Sequence, residues 1–168
     1  YTVPGATEIK LISMPGTKAK TLDIFFMDRS NAMSNARYNA LKEKYPNIQK
    51  IRFANSTVET IKRCVTRTKS SRFWVISSEC DYNQFDFSWH AQPWQNYMTH
   101  VFASQHQKWS NTFLINKWEF ERNVTWAKSL EEFPNLNFVD TQIVTVPADL
   151  YDIYLVDRSE EHTSEPSH

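Results

Sequence analysis

Glycine is nearly missing. The 168-residue chain holds two, Gly5 and Gly16, where average usage is about 7%. None follows Gly16. Loops of the GxxxxGK[ST] and GxGxxG kinds need glycine where the backbone closes on a phosphate, so P-loop and dinucleotide-fingerprint sites are excluded. Cysteine is scarce too. Cys64 and Cys80 are too few for a disulfide framework and have no CxxC spacing; both adjoin apolar stretches and read as buried thiols before redox or catalytic ones. Charge of one sign is absent, with 19 basic and 19 acidic residues, so the balance points to neither nucleic acid nor a membrane surface. No apolar run approaches the roughly 20 residues of a membrane helix, and the first residues do not resemble a signal peptide. The expectation is a soluble protein of a reducing, cytoplasmic compartment. HExxH and GxSxG are missing, as is any convincing Ser/His/Asp or Cys/His constellation.

What is present is aromatic: 14% Phe, Trp and Tyr, too many for a disordered tail. The length suits one domain with a substantial core. LDIFFMD (22–28) is a short apolar run ending in Asp28, as a strand buried on both faces would be. Tyr38, Leu41 and Tyr45 mark a helix over 34–45 that Pro46 stops. IQKIRFAN (48–55) alternates as a strand. Ser56-x-x-Glu59 reads as a capping box, followed by the stripe Val58, Ile61, Val65 of a helix to about Thr68. RFWVIS (72–77) is a further apolar strand. Strand, helix, strand, helix, strand predicts an α/β fold with a mostly parallel, Rossmann-like central sheet. Later, 97–104, 112–116 and 136–143 read as strands and 118–132 as helix.

In open parallel sheets ligands bind at the carboxyl ends of the strands. Three segments should meet there: Asp28 to Asn31, Asn55 to Thr57, and Ser77 to Tyr82. The last contains Glu79 and Asp81, and no lysine or arginine occurs between Arg72 and Lys108. Carboxylates without cations beside them could hold Mg²⁺ or Mn²⁺ through oxygen; the commoner meaning of such a pair is a solvated acidic loop. Lys62, Arg63, Arg67 and Lys69 lie on the helix before that strand. They form a solvated face unless Arg63 or Lys62 turns toward the sheet edge to meet a diphosphate. The run Tyr82, Phe85, Phe87, Trp89, Trp94 and Tyr97 could stack on a sugar or base, although such clusters more often fill a core. His90, His100 and His106 read first as ordinary hydrogen-bonded histidines.

The order of parts is similar to the nucleotide half of GT-A-type glycosyltransferases of the family 2 kind. More specifically, FWVIS (73–77), FDFSWHA (85–91) and QHQK (105–108) resemble segments of a glycosyltransferase-like family of bacteriophages and environmental viruses, whose domains occur in tandem. The resemblance covers roughly residues 20–135. It implies a three-layer GT-A-type domain taking a nucleotide-sugar donor, with an acceptor it does not identify, in the cytoplasm of an infected host cell. The family pattern has Asp-x-Asp where this chain has Glu79-Cys80-Asp81, so the resemblance implies that Glu79 and Asp81 hold the metal, with His106 or His90 as a third ligand. It implies a nucleotide contact from Arg63 and a base contact at Asp28. The altered acidic pair keeps a second expectation alive: a degenerate glycan-binding or structural module of a tandem-repeat viral protein.

The hexapeptide Asp23–Asp28 is echoed at Asp152–Asp157, a spacing of domain size, which suggests tandem domains rather than a solenoid. YTVPGATE at the start resembles the closing segment of such a domain, so the resemblance and the echo together imply a closing segment of a preceding repeat at 1–18, the α/β domain at 19–135, and a connection with the first strand of a following repeat at 136–157. Neighbouring repeats would be partners within the same chain. Residues 158–168, RSEEHTSEPSH, resemble a translated DNA-sequencing adapter and read as an artefactual, unstructured tail.

Overall fold

The computed structural model describes residues 22–147. The segments 1–18 and 158–168, and the echoed strand at 152–157, lie outside the described residues. The elements run β1 (Asp23–Asp28), α1 (Ser34–Lys44), β2 (Ile48–Arg52), α2 (Thr57–Arg67), β3 (Arg72–Ser77), β4 (Thr99–Ser104), β5 (Phe113–Asn116), α3 (Lys117–Asn123) and β6 (Leu136–Val144). One six-stranded sheet has the order β2-β1-β3-β5-β4-β6. β1 pairs in parallel with β2 and β3, and β4 with β6, while β5 runs antiparallel between β3 and β4. The fold is α/β with a mostly parallel sheet, and five of its strands end along one edge.

The apolar runs of β1 and β3 are continuous because both faces of the sheet are covered. Successive side chains point to opposite sides. Ile24, Phe26, Trp74 and Ile76 share one layer with Leu41 of α1. Phe25, Met27, Phe73 and Val75 share the other with Val58, Ile61 and Cys64 of α2 and Phe120 of α3. The Ser56 hydroxyl caps α2 by accepting from the Glu59 amide at 3.1 Å. The Glu59 carboxylate meets Lys62 at 3.0 Å. α1 is weakly amphipathic: Leu41 is buried, and Tyr38 packs edge-on against Phe26 at 5.5 Å.

Among the described residues no α-helix other than α1 covers the α1-side layer. The long connection from β3 to β4 does so instead. Tyr82, Phe85 and Phe87 are buried; Phe85 and Phe87 stand edge-on to the fully buried Trp74 at 5.5 and 5.4 Å. The two-residue spacing turns these rings inward and Asp86 and Ser88 outward. There the Asp86 carboxylate accepts from the Ser88 hydroxyl and amide, which hold its pKa below the usual carboxylate value. This part of the aromatic run is core. Trp94 and Tyr97 are exposed.

Two expectations change. Residues 118–132 do not form one helix: α3 ends at Asn123, and a 3-10 turn at Leu130–Glu132 follows. Asn123 stops it. Its side-chain amide donates to the Glu119 carbonyl at 2.8 Å, while its own carbonyl accepts from the Trp126 and Ala127 amides. The sheet also continues past residue 135, because β6 pairs with β4 from Leu136 onward. Among the described residues no helix is long and apolar enough to cross a membrane.

Both cysteines are buried and reduced. Burial pushes each thiol up to about 12, far from the thiolate that reacts. Neither should react with a thiol reagent such as DTNB at pH 8 in the native protein, and both should in denaturant. Rapid native labelling would contradict this burial.

His100, also buried, is the acid-sensitive point of the core. Its Nδ1 lies 2.9 Å from the Asn137 amide nitrogen, which donates to it, and its Nε2 has no hydrogen-bond partner among the described residues. Burial brings its pKa down to about 4; the nearby Gln95 carbonyl opposes the shift and the Arg72 charge adds to it. Between about pH 6.5 and 4 the unfolded chain binds a proton that the native state refuses. Stability should therefore fall as pH drops through that window, by up to about 1.4 kcal/mol per pH unit. Urea titrations of wild type and His100→Gln should show a shallower acid limb in the variant. Equal limbs would contradict a neutral, buried His100.

Candidate functional site

β1, β2, β3, β4 and β6 end on the same edge, and the loops that leave them meet there. Ser78, fully buried just past β3, ties two of these exits together. Its hydroxyl donates to Asn31 Oδ1 and accepts from the Arg29 amide at 2.9 Å. Its carbonyl accepts from the Asn31 side-chain amide at 3.1 Å and from Arg37 at 3.0 Å. The next turn is fixed from below. The Tyr82 hydroxyl accepts from the Ser77 amide at 2.9 Å and shares a hydrogen bond with Thr112 at 2.7 Å. Burial raises the Tyr82 pKa well above its ordinary value, so the hydroxyl stays protonated. Hydroxyls and amides thus hold a loop that other folds build with glycine. Two residues even take left-handed backbone without it: Ser30 at φ 61° and Asn111 at φ 60°. Asn adopts this region with little penalty; Ser30 is held there by its amide donating to Asp28 Oδ1 at 2.8 Å.

Among the cations of this edge, Arg29 joins the most loops. Its guanidinium stacks over the Phe53 ring at 4.1 Å, and its Nε lies 3.7 Å from the Glu79 carboxylate. One side chain therefore links the exits of β1, β2 and β3. Beside it opens a cleft of about 310 Å³ walled by Arg29, Phe53, Asn55, Ser56, Trp109 and Lys128. The Trp109 indole N–H donates to Asn111 Oδ1 at 3.2 Å, which fixes the ring's orientation. A second cleft, about 210 Å³, lies between α1 and the loop after β3 and is lined by Met33, Arg37, Leu41, Asp81 and Tyr82 among others.

The residues singled out in the sequence fall as follows. Asp28 ends β1, with its carboxylate spent on the Ser30 turn. Glu79 faces Arg29 next to the larger cleft. Asp81 lines the smaller one, where its Oδ1 accepts from the Asn83 amide at 2.9 Å and its own amide donates to the Thr145 carbonyl at 2.8 Å. His106 is exposed in the β4–β5 connection, its amide donating to Ser104 Oγ at 3.2 Å. His90 is exposed in the β3–β4 connection, with Nδ1 at 3.3 Å from the Ala91 carbonyl oxygen. Arg63 is exposed midway along α2. It sits about 200° around the helix from buried Ile61, which turns it to solvent. As placed, Glu79 and Asp81 belong to different neighbourhoods, and among the described residues no three His, Cys, Asp or Glu side chains group as ligands. The arrangement does not by itself fit a preformed metal cage.

Arg29, Phe53, Trp109 and Lys128 were not singled out from the sequence. Arg29 and Phe53 carried a weak signal, since each directly follows a strand at the edge where ligands bind. Trp109 and Lys128 carried none, because their segments reach the edge only through the β4–β5 connection and the turn after α3. Comparison with protein-family models, with curated proteins and with solved structures finds no match to this chain.

Proposed function

We propose that this chain is a GT-A-type, glycosyltransferase-like domain that receives a nucleotide-sugar donor at the carboxyl edge of its sheet. The supporting observation is the cleft beside Arg29. Two cations, Arg29 and Lys128, border it, with one carboxylate, Glu131. A guanidinium already oriented by Phe53 and Glu79 loses little freedom when it meets a phosphate pair, and its planar fork suits one. The oriented Trp109 ring offers a flat wall for a base. About 310 Å³ is at the small end of ligand pockets. It suits the nucleotide, leaving the sugar to lie outward, past Glu79.

The expected cofactor, Mg²⁺ or Mn²⁺ at Glu79 and Asp81 with His106, is the less supported half of the proposal. Such an ion would supply charge stabilisation for a leaving diphosphate, but Glu79 is already matched with Arg29. That same ion pair favours the second reading, a module that binds the nucleotide or a glycan without transferring sugar, within a tandem-repeat viral protein.

A donor-hydrolysis assay separates the two. The chain is incubated with each of a panel of nucleotide sugars, with and without Mn²⁺, and free nucleoside diphosphate is measured. Metal-dependent release that is lost in Glu79→Gln supports a transferase. Nucleotide binding, read in parallel by titration calorimetry, without release supports a nucleotide-binding module, and neither binding nor release would sink both nucleotide readings and leave only a glycan-binding module.

A further inference from the structure

The opposite edge of the sheet carries a second candidate site, independent of the reading above. A cleft of about 330 Å³ lies where α2 ends, β3 begins and α3 begins, walled by Lys69, Ser70, Ser71, Lys117, Trp118 and Glu121. Trp118 is 75% exposed. An indole left that far in water forfeits a large burial gain, and the fold offers no packing reason for it.

The backbone around the cleft is tied down by hydrogen bonds. The Asp23 carboxylate accepts from the Thr68 hydroxyl at 2.8 Å and from the Lys69 amide at 2.9 Å. The Ser70 amide donates back to the Thr68 hydroxyl at 3.1 Å. The Lys117 amide donates to the Ser71 carbonyl at 2.8 Å, which ties the start of α3, and so the Trp118 backbone, to the same turn. Walls held by the fold need little ordering when a ligand arrives.

We infer that this cleft binds an anionic saccharide, of the uronate-bearing class. The apolar C–H face of a pyranose matches the Trp118 ring. Ser70 and Ser71 can donate to or accept from its hydroxyls, and Glu121 can accept from them. Among the lining residues two ammonium groups, Lys69 and Lys117, stand against one carboxylate, Glu121, while the Asp23 carboxylate beside them is engaged by Thr68 and the Lys69 amide; the lining itself therefore favours a carboxylated sugar over a neutral one. A nucleobase would also stack on Trp118, but nothing in the cleft resembles the planar guanidinium that Arg29 supplies for a diphosphate at the other edge.

The test is calorimetric titration of the whole chain with trigalacturonate and, in parallel, with neutral maltotriose. Trigalacturonate should bind saturably and maltotriose at least tenfold more weakly. Trp118→Ala should abolish binding, and Lys69→Ala with Lys117→Ala should reduce it at least fivefold. Because Trp118 and Lys69 are exposed, circular dichroism should show these variants folded. Absence of trigalacturonate binding, equal affinity for both sugars, or binding unchanged by Trp118→Ala would each overturn the inference. Arg29→Ala should leave trigalacturonate binding unchanged, which keeps this site's failure distinguishable from that of the carboxyl edge.

Discussion

Arg29→Ala is expected to lower nucleoside-diphosphate affinity by about one to two orders of magnitude, since a charge-assisted hydrogen bond of about 1.5–3 kcal/mol is lost. The domain should stay folded. Arg29 and Glu79 are both partly exposed, and breaking such a pair moves stability by about 1 kcal/mol or less. Arg29→Lys should recover only part of the affinity, because an ammonium keeps the charge but loses the planar stack over Phe53. Titration calorimetry on the three proteins gives the comparison. Full affinity in the alanine variant would remove Arg29 from the site, and full recovery by lysine would mean that charge alone matters.

Trp74→Ala is expected to be the most damaging single change in the core, costing about 3–5 kcal/mol. That is a large share of the roughly 5–15 kcal/mol holding a domain together. Trp74 is fully buried among Phe85, Phe87 and Phe102, with ring centroids 5.5, 5.4 and 5.2 Å away. Its removal would leave the β3–β4 connection without the ring it packs on. Trp74→Phe should cost much less. The indole N–H has no hydrogen-bond partner among the described residues, so losing it relieves a buried donor while most of the ring area stays. Urea melts of both variants test this; equal costs would contradict the packing described for Trp74.

These two residues differ in how far the sequence reveals them. Trp74 sits in a continuous apolar run that can only be a strand covered on both faces, so its burial is legible directly. The parallel half of the sheet is legible for the same reason, because Pro46 and the Ser56 cap punctuate strand and helix in turn. The composition of 118–132 allows one helix, but α3 ends at Asn123, whose side-chain amide turns back onto the Glu119 carbonyl and carboxylate one turn earlier. β6 reads as a strand, but its attachment to β4 needs β5 inserted antiparallel between β3 and β4, which no local pattern specifies.

The site divides along the same line. That Asp28, Glu79 and Asp81 would stand near the carboxyl edge follows from the strand–helix–strand order. The neighbours each carboxylate takes there do not. Residues two apart in a turn diverge, so Glu79 reaches Arg29 while Asp81 turns toward α1. Arg63 shows the limit of reading a basic helix: the stripe that buries Ile61 leaves a residue two positions on facing water. Phe53 and Arg29, from different loops, meet only because β1 and β2 are adjacent and in register, with Asp28 opposite Arg52.

The central claim, that a nucleotide binds beside Arg29, is tested most directly by calorimetric titration of the chain with UDP, GDP, CDP and ADP, with and without Mn²⁺, repeated on Arg29→Ala. The account expects at least one of these to bind saturably and to lose most of its affinity in the variant. No heat with any nucleotide from folded protein, or equal affinity in both proteins, would contradict it.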